Sequence, residues 1–260
     1  MSPAQRERGE AFAALHDGPA FVIPNPWDGG SARVLQALGF RALATTSSGL
    51  AYALGRGDGS VTLDEIAAHV ALLSDVCDLP VSVDLENGYG PAPADAAAAV
   101  TRVAQAGAVG GSIEDWDRDG ERLCGVQEAV ERVAAAVEAA RSLPFSFTLT
   151  ARAENHIRAN PDLDDTIARL RAYEGAGADV LYAPGLGTVE EIRAVCDAVS
   201  KPVNVLARPN LSVAEIAAAG ATRISVGGAL AWVAVRALEQ AGRALLDGDL
   251  SVLDAPGPGF

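Results

Sequence analysis

The sequence predicts a (β/α)8 barrel of the TIM type, built as a single domain over residues 1–260. Two observations carry this reading. Eight short apolar runs alternate with Ala/Leu/Arg/Glu stretches of helical period, so the strands should lie parallel and be covered on both faces. A helix-to-strand punctuation also recurs: Ala106-Gly107-Ala108, Ala176-Gly177-Ala178 and Ala219-Gly220-Ala221, with Leu38-Gly39-Phe40 as a variant. Glycine at such a position can take the left-handed conformation that ends a helix. No linker or shift in composition divides the chain, and eight units within 260 residues fit a closed barrel better than an open doubly wound sheet.

In chain order, residues 1–17 read as an extra helix ahead of the first strand. Strands are expected at 21–25, 42–46, 81–84, 109–114, 146–151, 180–183, 203–207 and 223–226. Helical period follows at 62–76, 93–106, 126–141, 163–176, 189–198 and 213–219. Three of these helices open on capping boxes, Thr62-x-x-Glu65, Thr188-x-x-Glu191 and Ser212-x-x-Glu215, in which each side chain serves the other residue's backbone N–H. The last helix, 229–246, is apolar on more than one face through Trp232, Val233, Val235, Leu238, Leu245 and Leu246. A helix of that kind needs a second surface, which predicts a homodimer or homotetramer. Residues 247–260 read as an irregular C-terminal tail.

Composition excludes several classes. A formal net charge of −14 argues against nucleic acid and membrane surfaces as partners, since both select a basic face. Residues 1–18 lack the apolar core of a secretory signal, and no apolar run reaches membrane-spanning length. Cys77, Cys124 and Cys196 form neither a disulfide framework nor a zinc spacing, as expected of a cytoplasmic protein with reduced thiols. The sole lysine, Lys201, precedes a strand and so falls at the end of a barrel opposite its active site. That placement argues against Schiff-base chemistry.

In a parallel barrel the strand C-termini gather at one mouth, and here they carry acids. Asp84 and Glu86 follow the third strand, Glu114 ends the fourth, and Asp58 lies in the loop after the second. Four carboxylates at one mouth repel unless a cation sits among them, and an all-oxygen set selects a hard ion: Mg2+, with Mn2+ as the alternative. Arg152, at the end of the fifth strand, can hold a substrate carboxylate with a two-pronged fork. The backbone N–H groups around Ser48-Gly49-Leu50 can take another anionic oxygen, and Asn204 can orient the ligand. The expected partner is therefore a small carboxylate or 2-oxo acid. Gly227-Gly228 reads as a tight strand-to-helix turn in preference to a phosphate site.

The stretches Thr46-Ser47-Ser48-Gly49-Leu50, Asp84-Leu85-Glu86-Asn87-Gly88-Tyr89-Gly90, Ser112-Ile113-Glu114-Asp115 and Thr150-Ala151-Arg152-Ala153-Glu154-Asn155 resemble the isocitrate lyase/phosphoenolpyruvate mutase superfamily, including its phosphonomutase-like members. The resemblance implies a (β/α)8 barrel whose eighth helix is exchanged between subunits. It implies Mg2+ held by Asp58, Asp84, Glu86 and Glu114, mostly through water, with Asp84 binding directly. It places the substrate carboxylate on Ser48, Gly49, Leu50 and Arg152, with reaction through a pyruvate-enolate-like intermediate. Arg152, Glu114 and Cys124 are then the catalytic candidates. The lyases of the superfamily carry a Lys-Lys/Arg-Cys-Gly-His lid, whereas this chain reads Glu121-Arg122-Leu123-Cys124-Gly125-Val126. The Lys/Asn lid of the phosphonomutases has no counterpart here either. The expected activity is Mg2+-dependent carbon–carbon bond cleavage or decarboxylation. The alternatives are phosphonomutase-type C–P chemistry and a carboxylate-binding barrel with impaired catalysis.

Overall fold

The computed structural model describes residues 3–158, 160–254 and 257. Eight strands make one all-parallel sheet in sequential order: β1 (Phe21–Ile23), β2 (Leu43–Ala44), β3 (Val81–Asp84), β4 (Gly110–Glu114), β5 (Thr148–Arg152), β6 (Val180–Tyr182), β7 (Val203–Leu206) and β8 (Arg223–Ser225). β8 pairs with β1, Arg223 opposite Phe21. The ring is joined between β1 and β2 by two bonds in place of a ladder. The Ala44 N–H donates to the Pro24 carbonyl at 3.0 Å, and the Asn25 amide donates to the Thr45 carbonyl at 2.8 Å. The predicted barrel is therefore what the chain forms.

Ten α-helices are found among the described residues: α1 (Pro3–Leu15), α2 (Gly29–Ala37), α3 (Ser47–Ala53), α4 (Leu63–Val76), α5 (Pro93–Gln105), α6 (Val126–Arg141), α7 (Leu163–Gly175), α8 (Val189–Ala198), α9 (Val213–Ala218) and α10 (Ala229–Leu246). The three capping boxes form as the sequence predicts, on α4, α8 and α9. Gly107, Gly177 and Gly220 all have positive φ, so each helix ends where an L side chain would strain the backbone. Between helices and strands, Leu170, Leu181, Ile192, Val195 and Ile224 form one buried cluster, and Val83, Leu85, Val100, Val103 and Leu149 another. Each such side chain contributes about 1.5–3 kcal/mol by leaving water.

Three local features depart from expectation. β5 begins two residues later than predicted, and the Ser146 carbonyl ahead of it packs against α1, where a Cβ on Gly9 would collide with it. The stretch after β2 is a short helix, α3, where the sequence suggested a loop. After β4 the chain makes a hairpin, Trp116–Asp117 antiparallel to Arg122–Leu123. These pieces are too short for hydrophobic period to reveal.

α1 closes the N-terminal end of the barrel. Phe12 is fully buried, and the His16 ring stands edge-on to Phe12 and Phe21, with centroids 4.9 and 5.3 Å away. Burial drives His16 down to about 3, so it is neutral. α10 behaves in the opposite way. Ala231 is its one buried residue, while Val233, Leu238 and Leu246 are exposed. The tail contains a turn of 3-10 helix at Ser251–Leu253, and its positions 255, 256 and 258–260 lie outside the described residues. No helix among the described residues is long and apolar enough to cross a membrane.

Candidate active site

The C-terminal ends of the strands open into a cavity of about 160 Å³, bordered by Asp58, Asp84, Ser48, Arg152, Tyr182 and Asn204 among others. β3 delivers Asp84 to it. The Asp84 N–H donates to Thr45 Oγ1 at 2.9 Å, and Asp84 Oδ1 accepts from the Glu86 N–H at 3.3 Å. Glu86 sits at φ +49, a left-handed conformation uncommon for a residue with a side chain. Its carbonyl accepts from the Glu114 N–H at 2.8 Å, which locks the ends of β3 and β4 together. The parallel register sets Glu114 directly opposite Arg152.

Arg152 is the centre of this arrangement. Its Nη1 lies 3.5 Å from Glu114 Oε2 and 3.8 Å from Asp84 Oδ1, while its Nε donates to Glu154. The Tyr182 ring packs against its guanidinium at 5.2 Å, which limits its rotation. A second arginine reaches the acids from the hairpin: Arg118 Nη2 is 2.8 Å from Glu86 Oε2. To get there its guanidinium passes over Gly59, where any Cβ would collide with it. Asp58, on the same loop, borders the cavity from an exposed position.

The acids are left short of positive charge. Glu86 is pushed up to about 7, first by burial and then by Asp84, with Arg118 opposing. Glu114 is raised well above the carboxylate range by burial, against the pull of Arg152. Glu86 Oε1 and Glu114 Oε1 are buried without a hydrogen-bond partner. Among the described residues, no three His, Cys, Asp or Glu side chains stand together as a ready-made metal cage. The donor chemistry nonetheless fits a hard dication, since every candidate ligand is a carboxylate oxygen and two of them are orphaned.

The other predicted residues are placed unevenly. Ser48 borders the cavity, with its hydroxyl 3.2 Å from that of Thr46. Gly49 and Leu50 are buried within α3, where their N–H groups donate to the Thr46 hydroxyl and carbonyl. Asn204 lies inside the barrel and borders the cavity; its amide N donates to Ser225 at 3.0 Å and its oxygen accepts from Arg223 at 2.9 Å. The N–H groups of Val226 and Gly227 donate to Asn25 Oδ1, so the glycine turn after β8 is internally satisfied. Cys124 is not brought to the cavity. It is buried with Ala129, Val133 and Leu170 in the layer outside the sheet, and burial pushes its thiol up to about 11.

Neighbouring Asp115 organises that layer. It accepts from the Glu154 N–H at 2.7 Å, Arg169 Nη1 at 2.9 Å and the Tyr173 hydroxyl at 2.6 Å. Through Glu154 it supports the partner of Arg152. Sequence reasoning missed Arg118, Tyr182 and Arg223. The alternation of Tyr182 and Asn204 with apolar neighbours was a usable signal, because period two turns alternate residues inward.

Comparison with known proteins identifies the family of the chain. The phosphoenolpyruvate phosphomutase family model matches residues 12–246. The crystal structure of a Burkholderia cenocepacia J2315 protein provisionally assigned as a lyase/mutase shows 52% identity and a TM-score of 0.95, over 99% of this chain and 95% of its own. The 2-methylisocitrate lyase of Escherichia coli K12 is 33% identical over 75% of this chain and 68% of its own. The oxaloacetate decarboxylase of Bradyrhizobium diazoefficiens is 31% identical over 86% of this chain and 80% of its own.

Proposed function

The chain belongs to the phosphoenolpyruvate phosphomutase family of the isocitrate lyase/phosphoenolpyruvate mutase superfamily, and on that premise we propose that it is a Mg2+-dependent lyase that decarboxylates a small 2-oxo dicarboxylate of the oxaloacetate type. The observation that carries this reading is the pairing of Arg152 with both Asp84 and Glu114 at the mouth while Cys124 lies buried elsewhere. Decarboxylation needs a stabilised enolate but no thiol acid, whereas aldol-type cleavage with a cysteine acid would need a thiol in the cavity.

Asp84, Glu86 and Glu114, with Asp58 at the rim, would hold the ion. Bound there, Mg2+ would polarise the 2-oxo oxygen as a Lewis acid. Arg152 then has two tasks. It fixes the carboxylate beside the oxo group, and its charge offsets the electron pair left when the bond to the distal carboxylate breaks and CO2 departs. Tyr182 and Glu154 hold its guanidinium in one orientation for both. With Lys201 as the only lysine, no imine route competes. We also assign the exposed apolar face of α10 to contact with a second copy of the chain, which size-exclusion chromatography with light scattering would detect as a dimer or tetramer.

The test is a panel of 2-oxo and 2-hydroxy acids, 2-methylisocitrate and phosphonopyruvate offered to the purified protein with and without Mg2+. Pyruvate and CO2 from oxaloacetate, abolished by chelation and reduced at least a hundredfold in Arg152→Lys, are expected. Turnover of phosphonopyruvate alone, followed by phosphorus NMR, would move the assignment to C–P chemistry. Turnover of no acid in the panel would leave a binding protein.

A further inference from the structure

Arg223 has no role in the chemistry above, and its surroundings are unusual for a cation. It is 5% exposed, at the first position of β8. Its Nε donates to Asn204 at 2.9 Å and its Nη2 to Thr150 at 2.9 Å. Its Nη1 meets only His16 Nε2, at 3.5 Å. His16 Nδ1 lies 2.9 Å from the Phe12 carbonyl and must donate to it, so Nε2 turns a lone pair toward the arginine. Among the described residues, no Asp or Glu forms an ion pair with Arg223. Burial lowers it to about 10, which leaves it charged at neutral pH.

A buried, uncompensated guanidinium is costly, and a fold that needed only volume there would be more stable with an apolar side chain. Arg223 also borders the cavity, with Asn204, Ser225, Ser112 and Tyr182 around it. Its partner Thr150 precedes Arg152 by two residues on β5, so both face inward and their Cα atoms are about 7 Å apart. The cavity thus has two unlike ends. Arg152 at the mouth has three acidic side chains against it, while Arg223 at the floor has none among the described residues.

We infer that Arg223 is the floor of the substrate site and takes the distal carboxylate of a four-carbon dicarboxylate whose other end is held at Arg152. Asn204 and Thr150 aim the guanidinium, and the Ser225 hydroxyl in turn holds the Asn204 amide at 3.0 Å. This rests on the dicarboxylate reading above and assigns the residue that holds the distal carboxylate.

The test is calorimetric titration of the Mg2+-loaded protein with malate, with its neutral 4-amide and with pyruvate. Malate is expected to bind at least tenfold tighter than the amide. Arg223→Gln should reduce that preference to within twofold and leave pyruvate affinity within twofold, while Arg223→Lys should keep part of the preference. Equal binding of malate and amide by the unmodified protein, a preference that survives in Arg223→Gln, or absence of malate binding would overturn the inference. Where the glutamine variant does not fold, Arg223→Lys carries the same comparison, and a preference unchanged in it would equally overturn the inference. A malate preference without oxaloacetate turnover would sink the proposed reaction and leave this site intact. Turnover without the preference would do the reverse.

Discussion

Arg118 Nη2 stands 2.8 Å from Glu86 Oε2, and this contact ties the hairpin after β4 to the segment that follows β3. The hairpin's other anchor lies at its base, where the Arg122 guanidinium forks onto Glu128 with two bonds of 2.9 Å. Glu86 is buried, so loss of its partner matters more to Glu86 than to the half-exposed arginine. Arg118→Ala should cost about 1–3 kcal/mol of stability, read from urea unfolding. It should also raise amide exchange across residues 116–123. Unchanged exchange there would show that the contacts at its base, the Arg122 fork and Arg158 over the Trp116 ring, hold the hairpin without Arg118.

Cys124→Ala should leave turnover within threefold. The thiol is buried in an apolar layer and is held protonated at neutral pH. The expected cost is structural only, about 1 kcal/mol for one small buried group. Steady-state kinetics on the best substrate decide the point, and a hundredfold fall in kcat would place the thiol in the reaction after all.

Asp115→Ala should be far more damaging than any substitution on the exposed rim. It strands Arg169, the Tyr173 hydroxyl and the Glu154 N–H in a buried layer. Breaking such a pair costs about 3–5 kcal/mol, and in a chain of this length that lowers Tm on the order of 10 °C. A melting curve shifted by only one or two degrees would contradict this account.

Acid should destabilise the fold through two histidines. Burial is the main cause that depresses both, His16 to about 3 and His69 to about 4, whereas the unfolded chain titrates near 6.5. Above that value both states are neutral and the full stability is present. As pH falls through the window from 6.5 to about 4, the unfolded chain takes up protons that the folded one refuses, at up to about 1.4 kcal/mol per pH unit for each histidine. Replacing both by leucine should flatten the dependence of Tm on pH between 7 and 5. An equally steep profile in the double variant would assign the acid sensitivity to other groups.

The positions of Asp84, Glu86, Glu114 and Arg152 were legible because topology does the work: parallel strands of alternating βα units must end on one face. The caps at Thr62, Thr188 and Ser212 were legible because each is a local contact between residues three apart. Arg118 was not, since its partner lies 32 positions earlier and no local pattern links a hairpin tip to a strand end. Arg223 was hidden for a different reason. A basic residue opening a strand normally belongs to the solvent, and only the closed ring turns that position inward. Cys124 shows the converse: only the Cys-Gly pair of the lyase lid stands in the sequence, and the folded chain packs that thiol in a layer with alanine, valine and leucine.

The seal that Phe12 and His16 make beneath β1 has a kinetic corollary. With the rear of the barrel stoppered by α1, the cavity opens among the described residues at the C-terminal ends of the strands. If the proposed decarboxylation is the reaction, its monoacid product would occupy the same mouth as the substrate, and inhibition by that product should be competitive.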